Sequence, residues 1–89
     1  FDWDDLGSWK SIYDVNQKDA LNNVVLNAKV YLDESSNNLI KANPNKKIVI
    51  SGLSDFIVVD NDEVLLICPI EKDQYVKNLS EEARKQLGD

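Results

Sequence analysis

The residues best suited to chemistry stand together at the start of the sequence, in Phe1-Asp2-Trp3-Asp4-Asp5-Leu6-Gly7-Ser8-Trp9. Three carboxylates and two tryptophans share these nine positions. Carboxylates this close repel one another unless water, helix N-terminal amides or a cation accompany them. Magnesium needs only one or two carboxylates, because water and phosphate oxygens fill its other positions, so one aspartate beside a helix is enough to hold it. The plainer reading is that Asp2, Asp4 and Asp5 solvate a helix start whose dipole welcomes negative charge, and residue types alone favour it.

No other stretch competes. Asp60-Asn61-Asp62-Glu63 reads as a solvated turn, since an EF-hand calcium loop needs about 12 residues and a central glycine. Cys68 lies in an apolar run ahead of Pro69 and reads as a buried, unreactive thiol. Tyr75 reads as a core residue, and Lys46-Lys47 is too small a charge pair to define an anion site. With no histidine and one cysteine, the chain lacks the commonest general base and zinc ligand and cannot form an internal disulfide. Triad-type and zinc-dependent hydrolysis are therefore not expected of these residues by themselves.

The 89 residues suit one small domain, and 16 acidic against 10 basic residues give a net charge of −6. No basic run offers the phosphate-neutralising footprint of a nucleic-acid binder. The longest apolar runs, Phe56 to Val59 and Val64 to Cys68, fall far short of the roughly 20 residues of a membrane helix, and no signal-peptide pattern opens the chain. The expectation is a reduced, cytoplasmic setting with neither nucleic acid nor membrane as partner. Methionine is absent and the chain starts at Phe1, which fits either processing or a piece cut from a longer protein.

Around the motif, Ser8 is placed to cap a short helix whose Trp9, Ile12 and Tyr13 share one face and which ends near Val15. Residues 16–23 read as a loop. From Val24 the pattern alternates, with Val24, Leu26, Ala28, Val30 and Leu32 on the inward side of a single strand. Further strands are predicted at Leu39-Ile40, Ile48 to Ile50, Phe56 to Val59 and Val64 to Cys68, separated by turns such as Asn43-Pro44-Asn45-Lys46. Glu71 to Leu87 reads as an amphipathic helix, broken near Ser80, with a Glu81 to Lys85 pair and Gly88 as its stop. Five short strands at regular spacing indicate an all-β sandwich, barrel or solenoid. No internal repeat is evident, so a solenoid would be short and irregular. Strands apolar on both faces need cover from the helices or from a partner.

The whole string Trp3-x-Asp5-Leu6-Gly7-Ser8-Trp9 closely resembles the late motif of mannose-1-phosphate guanylyltransferases, W-[S/D]-D-[V/L]-G-S-W. A second resemblance to that family runs through Gly52-Leu53-Ser54-Asp55-Phe56-Ile57-Val58-Val59-Asp60, Leu65-Leu66-Ile67-Cys68-Pro69 and Gln74-Tyr75-Val76-Lys77. The resemblance implies the reaction of GTP with mannose 1-phosphate to give GDP-mannose and pyrophosphate. It makes Asp5 the aspartate that helps hold catalytic Mg2+, with partners outside this chain. Trp3, Gly7 and Ser8 would shape the turn that presents it, and Trp9 would pack beneath. Asp4 stands where the family varies and is not assigned as a ligand.

The family's glycine-rich nucleotide loop, its lysine and its F-[V/I]-E-K-P segment have no counterpart here, and without them nothing cradles a triphosphate. The resemblance therefore implies a C-terminal portion, inactive by itself. Residues 1–22 would close the nucleotidyltransferase domain, and residues 23–89 would form a mainly β domain with flanking helices, a short, irregular, left-handed β-helix-like solenoid serving packing and dimer contacts. GTP and mannose 1-phosphate would be bound through the missing N-terminal domain, and a homo-oligomer is expected. The alternatives are a stand-alone β-rich interaction module, and a nucleotidyltransferase for another sugar phosphate.

Overall fold

Ser8 opens the first helix as its sequence position suggests. Its backbone is extended (φ −81°, ψ 122°) and its hydroxyl accepts the Ser11 N–H at 3.3 Å, supplying a partner that the first turn lacks. The computed structural model describes residues 8–88. Helix α1 (Trp9–Val15) turns Trp9 inward, with Ile12 and Tyr13 packed at the edge of the same core. At its other end the Lys18 ammonium donates to the carbonyls of Tyr13 (2.9 Å) and Asn16 (3.1 Å), a cation placed where the helix dipole is negative.

The predicted strand from Val24 to Leu32 is two strands. β1 (Val24–Leu26) and β2 (Lys29–Asp33) are parted by a corner at Asn27, whose φ of 56° lies in the left-handed region that asparagine tolerates. Alternation hid this corner. Two residues, Asn27 and Ala28, make the bend, so the inward parity of Val24 and Leu26 carries through to Val30 and Leu32. β3 (Leu39–Lys41), β4 (Lys47–Ser51), β5 (Phe56–Asp60) and β6 (Leu65–Pro69) follow, making six strands among the described residues where five were expected.

These strands are wound as a solenoid is. β1, β3 and β5 pair in parallel in one sheet, β2 and β4 pair in parallel in a second, and Ser36 bridges Ser54 in parallel on a third side. The chain thus passes from side to side and stacks each pass on the one before. β6 then reverses and pairs antiparallel with β5, closing the larger sheet in the order β1-β3-β5-β6.

The register corrects the expectation of no repeat. Lys29 lies on Lys47, Ser36 on Ser54 and Leu39 on Ile57, each 18 positions apart. Laid over one another at that offset, Lys29-Val30-Tyr31-Leu32 matches Lys47-Ile48-Val49-Ile50. The repeat escapes notice because one stacked pair keeps apolar character and not identity. Its corners recur too: Glu34 (φ 48°) takes the place of Gly52 (φ 73°), and Asn37 (φ 59°) that of Asp55 (φ 66°).

Two buried asparagines join the passes from within. Asn23 donates to the Ser35 carbonyl (2.9 Å), and its side-chain oxygen accepts both the Asn38 N–H (3.0 Å) and the Asn38 amide (3.1 Å). Asn38 in turn donates to the Leu53 carbonyl (2.8 Å) and accepts the Phe56 N–H (2.8 Å). Each amide serves backbone groups that the corners leave unpaired. Asn38→Ala is expected to destabilise the fold by about 2–3 kcal/mol, since it strands the half-buried Phe56 N–H and Leu53 C=O together. Urea unfolding checks this, with Asn38→Ala losing far more than the exposed Asn45→Ala.

One face of the larger sheet meets the helices. Val24, Leu39, Ile57, Val59, Leu66 and Cys68 pack there with Trp9 and Val76. β5 is covered on both faces, as its composition requires, because Ile57, Val58 and Val59 are all buried. β6 is not. Leu66 and Cys68 are buried, while Leu65 (58%) and Ile67 (55%) remain exposed and line a groove with Ile48 and Val49 of β4.

The predicted C-terminal helix divides differently from expectation. Ile70–Tyr75 is a 3₁₀ segment, interrupted by non-helical geometry at Lys72, and α2 (Val76–Leu87) then runs unbroken through a fully buried Ser80. Tyr75, expected in the core, is 58% exposed, because the switch from 3₁₀ to α geometry at this residue rotates Val76 inward in its place. Lys85 pairs with Glu82 and not with Glu81, and Gly88 closes the helix with φ 83°.

Candidate functional site

The junction between the acidic motif and the solenoid is the site the sequence singles out. Asp5, Trp3 and Gly7, with Asp2 and Asp4, lie outside the described residues. Ser8 and Trp9 lie inside them, and both are built into the tail. Trp9 is 1% exposed and sits in the central apolar cluster. The Lys41 ammonium stands 5.8 Å from its ring centroid, a cation over a π face.

Ser8 does more than cap its own helix. Its hydroxyl donates to the Asp73 carboxylate, and the Lys10 N–H donates to the same oxygen at 3.0 Å. Asp73 is a buried carboxylate in the 3₁₀ segment, far along the chain. Sequence reasoning missed it, because it falls between periodic segments with neighbours, Lys72 and Gln74, of ordinary solvated type. Only the fold brings it beneath the start of α1.

Beside Trp9 opens a cleft of about 350 Å³, walled by Asn27, Lys41, Asn43, Asp60 and Asp62 among others. Its carboxylates are already engaged. Asp60 pairs with Lys46, and Asp62 accepts from the Asn43 amide at 3.1 Å. The Lys46 hydrogen bond, aided by the Asp62 N–H, holds the Asp60 carboxyl below the usual carboxylate range. These bonds outweigh the burial that acts the other way.

This sets a pH dependence. A carboxyl whose folded pKa is depressed contributes stability fully above its unfolded value of about 3.9, and loses that contribution as pH falls through the folded value. Asp19, depressed chiefly by the Asn23 backbone N–H and also by that of Leu21, acts in the same direction. Thermal melting is expected to hold level from about pH 7 to about pH 5 and to fall below about pH 4. In Asp60→Asn the acid-dependent fall is expected to be smaller. An identical fall in the variant would show that Asp60 is not responsible.

Cys68 conforms to its expectation. It is buried, and desolvation pushes its thiol above the usual cysteine range, with the Asp73 charge adding to the effect. Among the described residues, no group of three or more His, Cys, Asp or Glu could hold a metal ion. Among the described residues, too, no helix is long and apolar enough to cross a membrane.

Comparison with known proteins identifies the family of the β-rich part. The family described as MannoseP isomerase/GMP-like beta-helix domain matches residues 27–82. The Pseudomonas aeruginosa alginate biosynthesis protein AlgA is 38% identical over 77 residues, covering 86% of this chain and 16% of that protein. A mannose-1-phosphate guanylyltransferase of Escherichia coli is 32% identical over 81 residues, covering 90% of this chain and 17% of the enzyme. The chain therefore spans about a sixth of the length of these relatives. Both matched stretches are longer than the β-helix match. A crystal structure from Thermus thermophilus, of a protein named mannose-1-phosphate geranyltransferase, superposes with a TM-score of 0.72 at 20% identity, over 90% of this chain and 24% of that one. At that identity the likeness concerns the fold.

Proposed function

Because the chain belongs to the MannoseP isomerase/GMP-like β-helix domain family, we propose that it is the C-terminal part of a mannose-1-phosphate guanylyltransferase. The parent would join GTP and mannose 1-phosphate into GDP-mannose and pyrophosphate, with the sugar phosphate oxygen attacking the α-phosphorus of GTP. The observation that carries the reading is Trp9. It ends a motif of nucleotidyltransferase type, and it is buried in the core of the β-helix domain itself.

In this reading the chain's own residues position and do not react. Asp5 would hold Mg2+ together with groups outside this chain, and when bound the ion would neutralise charge on the triphosphate. Trp3 and Gly7 would shape the turn around Asp5. Ser8 and Trp9 would fix the end of that turn to the solenoid. Lacking a phosphate-cradling loop, residues 1–89 would be inactive by themselves. A cytoplasmic setting suits a reaction on soluble nucleotides, and a homo-oligomer is supported by the exposed apolar strip of Val49, Leu65 and Ile67.

Turnover decides the matter. The full-length protein with GTP, mannose 1-phosphate and magnesium should release GDP-mannose and pyrophosphate, while residues 1–89 should release neither. A higher kcat/KM with another sugar phosphate would overturn the mannose assignment. Absence of any nucleotidyl transfer by the full-length protein would favour an interaction module. Sedimentation of the full-length protein as a monomer at high concentration would remove the oligomer from the proposal.

A further inference from the structure

We propose that Asp73 is a positioning residue for nucleotidyl transfer, holding the exit of the Phe1 to Trp9 motif against the tail. The proposal rests on the reading that this motif serves that reaction. Its basis is a convergence across the chain: a carboxylate only 8% exposed accepts the Ser8 hydroxyl and the Lys10 N–H on one oxygen. A buried charge is costly unless it is hydrogen-bonded, and hydrogen bonds to an ionised group are the strong ones. Asp73 therefore binds the motif's last turn firmly.

Trp9 and Asp73 act on the same three residues in different ways. Burial of the indole sets how deep the start of α1 sits, and an apolar contact has no direction of its own. The two bonds to Asp73 supply direction, fixing the rotation of the Ser8 to Lys10 backbone about the Trp9 anchor. Three residues span at most about 11 Å, so this fixed point limits where Asp5 can lie relative to Ser8. An error of about 1 Å at a reacting centre can cost on the order of 10²-fold in rate. The tail would thus be part of the catalytic scaffold, through a residue that touches no substrate.

The test uses the full-length protein with Asp73→Ala, Asp73→Asn, Ser8→Ala and the Ser8→Ala/Asp73→Ala double variant. Each is assayed well below its own melting temperature. In Asp73→Ala, kcat is expected to fall roughly 10- to 100-fold while KM for nucleotide and for sugar phosphate stay within about 3-fold. Asp73→Asn keeps an acceptor oxygen and should recover most of kcat. The double variant should lose less than the two single losses combined, because each single change removes the same Ser8–Asp73 bond. Unchanged kcat in Asp73→Ala, a rise in KM alone, or additive losses in the double variant would each overturn the proposal. If the wild-type protein transfers no nucleotide at all, the functional reading fails and takes this one with it. An active wild type with an unaffected Asp73→Ala sinks the positioning role alone.

Discussion

Trp9→Ala is expected to destabilise the chain by about 3–5 kcal/mol, the range for removing a large buried aromatic side chain. A domain of this size has a total stability of roughly 4–13 kcal/mol at 0.05–0.15 kcal/mol per residue, so the loss is a large share of the whole. The indole is 1% exposed and belongs to the cluster that joins α1 and α2 to the larger sheet. Removing it leaves a cavity bordered by β-strands that cannot close inward without breaking their parallel ladders. Trp9→Phe should cost much less, for a specific reason. The Trp9 Nε1 is buried with no acceptor among the described residues, a penalty that phenylalanine does not carry. Urea unfolding of residues 1–89 followed by circular dichroism separates the two variants. If Trp9→Ala lost under about 1 kcal/mol, α1 would not be part of the core in solution.

Asp5→Asn in the full-length protein is expected to lower kcat by on the order of 10²-fold or more, with the melting temperature unchanged. A metal ion contributes several kcal/mol to stabilising charge in the transition state, and each 1.4 kcal/mol is about tenfold in rate. An amide keeps the shape of the side chain and loses the charge with which Asp5 would hold Mg2+. Raising the magnesium concentration should restore part of the rate, because asparagine can still offer a neutral oxygen. Asp4→Asn is the matched control and should leave turnover within about 3-fold, as its family position tolerates serine. Equal turnover in Asp5→Asn and wild type would make Asp5 a helix-start solvator, the plainer reading of the acidic cluster.

The sequence made the tail's ingredients legible and concealed how they are assembled. Ser8 as a cap, the inward face of α1, the turn at Asn43 to Lys46 and the strands at 48–50 and 56–59 depend on local chemistry, and each stands where expected. The corner at Asn27 was hidden because a two-residue bend preserves the parity of the strand it interrupts. The 18-residue period was hidden because stacking demands matched apolar volume and tolerates Val, Ile and Leu alike. Tyr75 was misplaced because a change of helical pitch shifts which residue faces the core.

The motif likewise stood out before any fold was known, as a helix start or a candidate cation site, with residue types alone favouring the helix start. Carboxylates, tryptophans and a capping serine within nine positions name a helix start and a candidate cation site whatever surrounds them. What anchors that motif was decided by tertiary structure alone. Trp9 joins one apolar cluster with Val59 and Cys68, and Ser8 meets Asp73, across separations that no local pattern encodes. Sequence determines short-range preference through backbone sterics and side-chain type. Which distant carboxylate ends beneath which helix depends on how the solenoid winds, and that follows only once the whole core has found its packing.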